Sequence, residues 1–388
     1  MKAVSKIFWR EWKRLFQLPA FYVVFLVIPP ILYFFYGFIY QKQFARDLPV
    51  ALWDEDRSEI SRKLVDMMAT TPSVHFAETV HSEEELKKAM FAGKISAAIH
   101  FPKDFEAKIK KGEKVEVTLY NNAAALVGAK IIYKDVAGVV IKGGLGVVLQ
   151  KQTRQGMSPA KAQALVQPIK LNTYTLYNPS YNYKDFLTPG LITVAVQMAL
   201  LLLAVLLLNY EKKTDTEQEL IRLAQGSASA IIVGKTLAFL TLSWYLFVLI
   251  FFVVFPFFDL NLPSSILNVF VLYNFLVLAC IGVGMMVSAI VDDVMVATDV
   301  ALFFTSPAFV FSGFTFPRWA MPWYDQFYAD IMPYTYFMDG FVKAYFMGLP
   351  PKYFQSELLS LSLIMVTGFG TALIFYQFKI NKIKNHVS

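Results

Sequence analysis

Cysteine is almost missing from this sequence: Cys280 is the only one, and it falls inside an apolar run. No intramolecular disulfide can form, so any soluble portion must be held by its own core. Histidine is nearly as scarce. His75, His81, His100 and His386 show no ligand spacing, which leaves a metal centre without support. A complete phosphate-binding loop is missing too. Gly234-Lys235-Thr236 resembles the end of one, but Ser229 stands where its first glycine belongs, and the segment runs straight into an apolar stretch. Lys235 is therefore read as an anchor at lipid headgroups, and no cofactor site is expected in this chain. There is no convincing internal repeat and few deep ionisable residues, which weighs against an ion-driven transporter.

What the chain does have is apolar length. Hydrophobic residues make up 56% and the mean hydropathy is +0.47, above the roughly 45–50% apolar content of soluble domains. Runs long enough to cross a hydrocarbon core, about 20 residues, lie near Phe21–Tyr40, Phe186–Leu208, Ile231–Phe255, Ile266–Val291, Met295–Ser312 and Leu358–Phe378. Between the first two lies a polar segment, Gln41–Asp185, rich in Lys, Glu and Asp. One span, a large insert and five more spans suit a permease with an external domain better than a soluble enzyme.

The formal charge of +7 would hint at nucleic acid in a soluble protein. Its placement here reads otherwise, and no nucleic-acid partner is expected. Lys2, Lys6, Arg10, Lys13 and Arg14 precede the first span, Lys212, Lys213, Arg222 and Lys235 lie between the second and third, and Lys379, Lys382 and Lys384 follow the last. The opposite loop Pro256–Ser265 has neither Lys nor Arg. By the positive-inside rule both termini are cytoplasmic and the insert is external. A cleaved leader is rejected for the first run, which exceeds the usual 7–15 or so apolar residues and ends in Phe38-Ile39-Tyr40 without a small-residue cleavage site.

Along the chain, Met1–Leu18 interleaves Phe8, Trp9, Trp12, Leu15 and Phe16 with cations, a pattern for a helix lying on the membrane or a simple orientation signal. Pro29 and Pro30 interrupt the first span, so that helix is expected to pack against neighbours. The insert reads as α/β. Strand patterns occur at Pro49–Trp53, Val74–Val80, Ala97–Phe101, Val115–Tyr120 and Leu171–Leu176. Ser82 with Glu85 predicts a capping box, and Ser158-Pro159 a helix start. Ala123–Gln152 reads as one long helix, with Gly143, Gly144 and Gly146 as candidate breaks.

Two motifs stand out. In the loop after the second span, Thr216 and Glu219 fit a capping box and Gly226 a helix stop, with about three turns between them. Leu220, Ile221, Leu223 and Ala224 offer apolar contacts, while Glu217, Glu219 and Arg222 remain for polar ones. That fits a rigid lever for docking another protein, or an ordinary connecting helix solvated on one side. The second motif runs from Phe311-Ser-Gly-Phe-Thr-Phe-Pro through Met332-Pro-Tyr-Thr-Tyr to Gly340. Its prolines break apolar helices at membrane depth, as in a partly re-entrant segment, and Trp319, Trp323, Tyr324 and Tyr328 suit the interfacial belt. Asp292 and Asp293 are expected in a wet turn, with Asp299 one turn deeper as a candidate for a polar contact.

The loop with Glu217, the Ser312-Gly313…Pro317…Met321-Pro322…Pro333…Thr335-Tyr336 run, and Tyr177-Asn-Pro-Ser180…Pro189-Gly190 resemble the type-2 (type V fold) permeases of ATP-binding-cassette exporters. Lys94-Ile95…Phe101-Pro102…Phe105, with the strand at Val115, resembles the external domain of the large-insert members. Asp215 departs from the pattern, standing where the family usually carries glycine before Thr-x-Glu. The resemblance implies a six-helix membrane protein with an α/β external domain inserted between helices one and two. Its parts would be an elbow helix and first span in 1–40, the external domain in 41–185, and the remaining spans in 186–388.

It also implies a homodimer, or a heterodimer with a similar permease, in the bacterial inner membrane. Two cytoplasmic ATPase subunits would hold ATP and Mg, and a periplasmic adaptor is an optional partner. Thr216, Glu217, Glu219, Leu220 and Arg222 would couple to the ATPase within a coupling helix, 216–226. Ser312, Gly313, Pro317, Pro322 and Pro333 would form an outer gate in a re-entrant region, 312–346. No substrate-binding residue is identified. A different class stays open at this point: a membrane-anchored receptor or adhesion protein whose external domain binds an envelope or extracellular ligand.

Overall fold

The computed structural model describes residues 2–17, 19–41, 46–169, 172, 174–178 and 182–387. They fall into two units, Met1–Gln43 with Thr175–Ser388, and Phe44–Tyr174. Helix α1, Lys2–Gln17, buries Ile7 and Glu11 and exposes Trp9 and Phe16. The first apolar run is helical over 19–39, but it is not a regular α-helix. A π turn at Val23–Val27 precedes α2, Ile28–Ile39, and Pro29 and Pro30 fall in the first turn of α2. The backbone stays helical through Tyr22, Val27 and Ile28, so the prolines sit inside a continuous helix, where their two missing amide donors interrupt the hydrogen-bond ladder next to the π turn.

In the second unit β1 (Leu48–Asp54), α3 (Glu59–Ala69), β2 (Val74–Thr79), α4 (Glu83–Phe91), β3 (Ala97–Phe101), α5 (Phe105–Lys111) and β4 (Thr118–Asn121) alternate, followed by α6 (Leu126–Arg154) and α7 (Pro159–Val166). The sheet order is β2-β1-β3-β4, with β4 antiparallel and the other pairs parallel. Side chains alternate between faces along each strand. Val50, Ile99 and Phe101 therefore meet Leu64 of α3 and Ile132 of α6 on one side, while Ala51 and Ala98 meet Leu86 of α4 on the other. Ser82 caps α4 as its spacing predicts, accepting from the Glu85 amide at 3.2 Å, although Glu85 reaches back to the His81 amide. The three glycines do not break α6. The strand expected at Leu171–Leu176 lies partly outside the described residues, and residues 172 and 174–176 form no strand.

The first unit continues with α8 (Tyr183–Lys213), α9 (Glu217–Leu223), α10 (Ala228–Leu249, running on through a π turn to Phe257) and α11 (Ile266–Ile290). After them come α12 (Val294–Thr305, extended by a short turn to Phe311), α13 (Trp323–Ile331), α14 (Pro333–Phe341) and α15 (Gln355–Val387). Among the described residues five helices are long and apolar enough to cross a membrane: Tyr183–Lys213, Ala228–Phe257, Ile266–Ile290, Val294–Phe311 and Gln355–Ile383. The first run contributes a shorter apolar helix, Val23–Ile39. Gly282 on α11 and Gly368 on α15 let two backbones touch: a Cβ on Gly368 would lie 2.6 Å from the Gly282 carbonyl carbon. Small residues at such crossings allow the close packing that holds helices together where lipid offers no hydrophobic drive.

Candidate functional site

The last turn of α8 carries Glu211, an acid at the negative end of a helix dipole, which is unfavourable unless cations answer it. Three do. Arg10 of α1 forms two hydrogen bonds to the Glu211 carboxylate at 2.9 and 3.0 Å, Arg14 pairs with the same group, and Lys235 of α10 reaches it at 2.6 Å. Lys235 also meets Glu11 at 2.8 Å, and the Thr216 hydroxyl donates to Glu211 at 2.5 Å. Glu211 and Lys235 are fully buried. Lys235 is thus no headgroup anchor; it belongs to a closed ion network joining α1, α8 and α10. The glycine before it has a packing role, since a Cβ on Gly234 would fall 2.8 Å from Ile7 of α1.

This network was invisible in the sequence because Arg10, Glu11 and Arg14 lie about 200 positions from Glu211 and Lys235. The available signal was an acid amid cations, in Arg10-Glu11-Trp12-Lys13-Arg14 and again in Glu211-Lys212-Lys213.

From this base projects α9, with seven residues and so about two turns instead of the three expected. The expected capping box does not form. Thr216 makes no cap bond: its backbone, at φ −98° and ψ 2°, is not the extended conformation of a capping residue, and its hydroxyl donates to Glu211. Asp215 adopts φ +53°, the left-handed conformation that glycine takes without cost and Asp tolerates, so the chain still turns there. Leu220 and Ile221 are buried against their own chain and are not free for docking. Gln218, Glu219 and Arg222 are exposed and spaced to share one face. Glu217 turns inward. Burial raises its carboxyl above the ordinary value, against the pull of Lys212 and Lys379 and a 3.5 Å hydrogen bond from Tyr376.

Nearby, Asp292 pairs with Lys212 of α8 and Lys379 of α15. Hydrogen bonds from these lysines hold its carboxyl at about 2. A depressed acid stabilises the fold above its unfolded value, so this clasp is complete at neutral pH and is lost only as pH falls through about 2. Asp293 caps α12, accepting from the Val296 amide at 2.9 Å. Asp299 is exposed and has no polar partner among the described residues.

The other predicted group lies at the opposite end of α8, whose 31 residues span about 45 Å. A cavity of about 780 Å³ opens there, lined by Phe186, Gly313, Phe314, Phe346, Asp339, Lys343 and Glu357 among others. Phe186 and Phe314 stack at 4.4 Å, and Lys343 bonds Glu357 at 2.5 Å. Of the five outer residues picked from sequence only Gly313, at φ +88°, lines this cavity. Ser312 is buried and bonds the Phe309 carbonyl, Pro333 starts the buried helix α14, and Pro317 and Pro322 are exposed residues ahead of short helices. Trp319, Trp323 and Tyr324 are exposed, as an interfacial belt requires.

Known proteins resemble this chain in sequence. Over 346 residues the chain is 22% identical to the probable multidrug ABC transporter permease YbhS of Escherichia coli (strain K12), covering 88% of each chain. Over 295 residues it is 21% identical to the probable multidrug ABC transporter permease YbhR of the same strain, covering 75% of each. The family model described as ABC-2 family transporter protein matches residues 19–376. The chain belongs to the ABC-2 family of transporter proteins.

Proposed function

We propose that this chain is the permease subunit of an exporter that moves an apolar or amphiphilic substrate outward, driven by a separate ATP-binding-cassette ATPase. The observation that carries the reading is α9: a short helix with one polar exposed face, fastened to three long helical elements through the buried Glu211 network. A mobile loop would absorb a push from a partner. A helix clamped to α1, α8 and α10 passes it on as rigid-body rocking between two states.

In this reading α9 is the coupling helix, α1 the elbow helix beside it, and both termini are cytoplasmic. Val23–Ile39, about 25 Å long, completes the six spans together with the turn before it. The Phe44–Tyr174 unit is then external, and the protein functions in the bacterial inner membrane as a dimer with itself or a similar permease. The cavity around Phe314, within the roughly 300–1,000 Å³ range of ligand sites, marks the exit. Its stacked aromatics beside Asp339 and Glu357 favour an amphiphile, in keeping with relatives named as probable multidrug permeases.

The test is reconstitution of the chain with its cassette ATPase in vesicles. Hydrolysis is expected to rise severalfold with particular amphiphiles from a panel of lipids and drugs, and only when the chain is present. Flux driven by a proton or sodium gradient without the ATPase would overturn the reading.

A further inference from the structure

We propose that the groove between α3, α5 and α6 of the Phe44–Tyr174 unit binds a single-chain anionic amphiphile, with its carboxylate among the groove's cations and its hydrocarbon chain along the apolar floor. The groove encloses about 590 Å³, inside the range of small-molecule sites. Its floor is made by Leu64, Ile109 and Val147, and Met67 beside them is 41% exposed. Around it stand Lys63, Lys110, Lys142, Lys151 and Arg154, and no lining residue is acidic.

Lys63 and Lys110 are answered within their own helices by Glu59 and Glu106, each at 2.6 Å. Lys142, Lys151 and Arg154 form no ion pair among the described residues. Lys151 and Arg154, one turn apart, are near neighbours and repel one another, while Lys142 stands about 13 Å further along the helix, beyond the roughly 8–10 Å over which exposed charges act in salt. An anionic headgroup would relieve that repulsion.

One glycine of α6 shapes the groove. Each glycine costs a helix about 1 kcal/mol relative to alanine. Gly143 has a packing reason, because a Cβ there would run into the Leu64 side chain. Gly146 has none, and neither have Gly138 and Gly144: a Cβ on any of them would meet nothing within 4 Å, but of the three only Gly146 lines the groove, where its bareness deepens the floor. The lining stretch 142–155 of α6 runs about 20 Å, a length that matches a long acyl chain. An amphipathic helix about 10–12 Å across and equally long needs far more room than 590 Å³. The site does not depend on the direction of transport or on the side of the membrane.

The probe is a long-chain fatty acid bearing a diazirine, applied to the full chain in lipid nanodiscs, with adducts mapped by mass spectrometry. Adducts are expected on α3 and α6 and are expected to be competed away by the unlabelled acid. An alcohol of the same chain length should label these helices at least about fivefold less, equivalent to about 1 kcal/mol. Lys142→Glu/Lys151→Glu/Arg154→Glu and, separately, Gly146→Phe should each reduce labelling by the same factor. Gly146→Phe removes a helix-weakening glycine into open space, so its loss of labelling reports a filled groove and not unfolding. Equal labelling by the alcohol, or labelling unchanged in both variants, overturns the proposal. So does protection of the groove by an acidic helical peptide or a second copy of the chain without any fatty-acid adduct.

Discussion

Glu211→Gln is expected to destabilise the protein by about 3–5 kcal/mol, the usual cost of removing one partner from a buried ion pair. The size follows from how many groups depend on this carboxylate. Arg10, Arg14 and Lys235 all point at it, and Thr216 donates to it. Without its charge, three cations face one another with only Glu11 between them and Glu219 at the rim, 3.8 Å from Arg10. Glu11→Gln should cost less, since it leaves Glu211 to hold all three.

Glu211→Gln/Lys235→Met should recover part of the loss, because it removes a buried charge of each sign and replaces Lys235 with an apolar chain of similar length. Thermal unfolding of the reconstituted protein, with proteolytic release of α1 as a second readout, checks the series. A midpoint for Glu211→Gln equal to wild type, or above that of Glu11→Gln, would contradict the network.

The second large effect is on partner binding. Reversing the exposed charges in Glu219→Arg/Arg222→Glu is expected to weaken retention of the cassette ATPase by about tenfold or more, equivalent to about 1.4 kcal/mol, and to abolish ATP-driven export. The fold should survive, since Glu219 is 64% exposed and its link to Arg10 is a weak surface pair. Leu220→Asp is the wrong test. Leu220 is fully buried against its own chain, so that variant would break the base of α9 and lose binding for a structural reason. Normal ATPase retention by the charge-reversed protein would remove α9 from the coupling role.

Long apolar runs and alternating strands were legible in the sequence because each is a local pattern. Five of the expected spans and four of the expected strands correspond to helices and strands of the structure, with shifted ends. The interruption of the first span was legible for the same local reason: Pro29 and Pro30 withhold two amides, and the helix passes through a π turn just before them. Side-chain roles that depend on distant partners were not legible. Lys235 looks like an interfacial lysine from its neighbours in sequence, and becomes a buried charge only because Glu11 and Glu211 arrive from α1 and α8. Thr216 and Glu219 satisfy the spacing of a capping box, yet the backbone at Thr216 is not extended and its hydroxyl is turned to donate to Glu211. Asp215 shows the converse. The expected glycine is absent, but its left-handed turn is present.

The central claim, that the exposed face of α9 is where the ATPase docks, is tested most directly by site-specific cross-linking. Cys280 is buried, with its thiol inside the bundle, so a cysteine introduced at Arg222 is the reactive one. With a short bismaleimide and an ATPase carrying a surface cysteine, Arg222→Cys should give a permease–ATPase adduct. Trp319→Cys, exposed near the other end of the bundle, should give none. No adduct from Arg222→Cys, or an equal adduct from Trp319→Cys, would contradict the account.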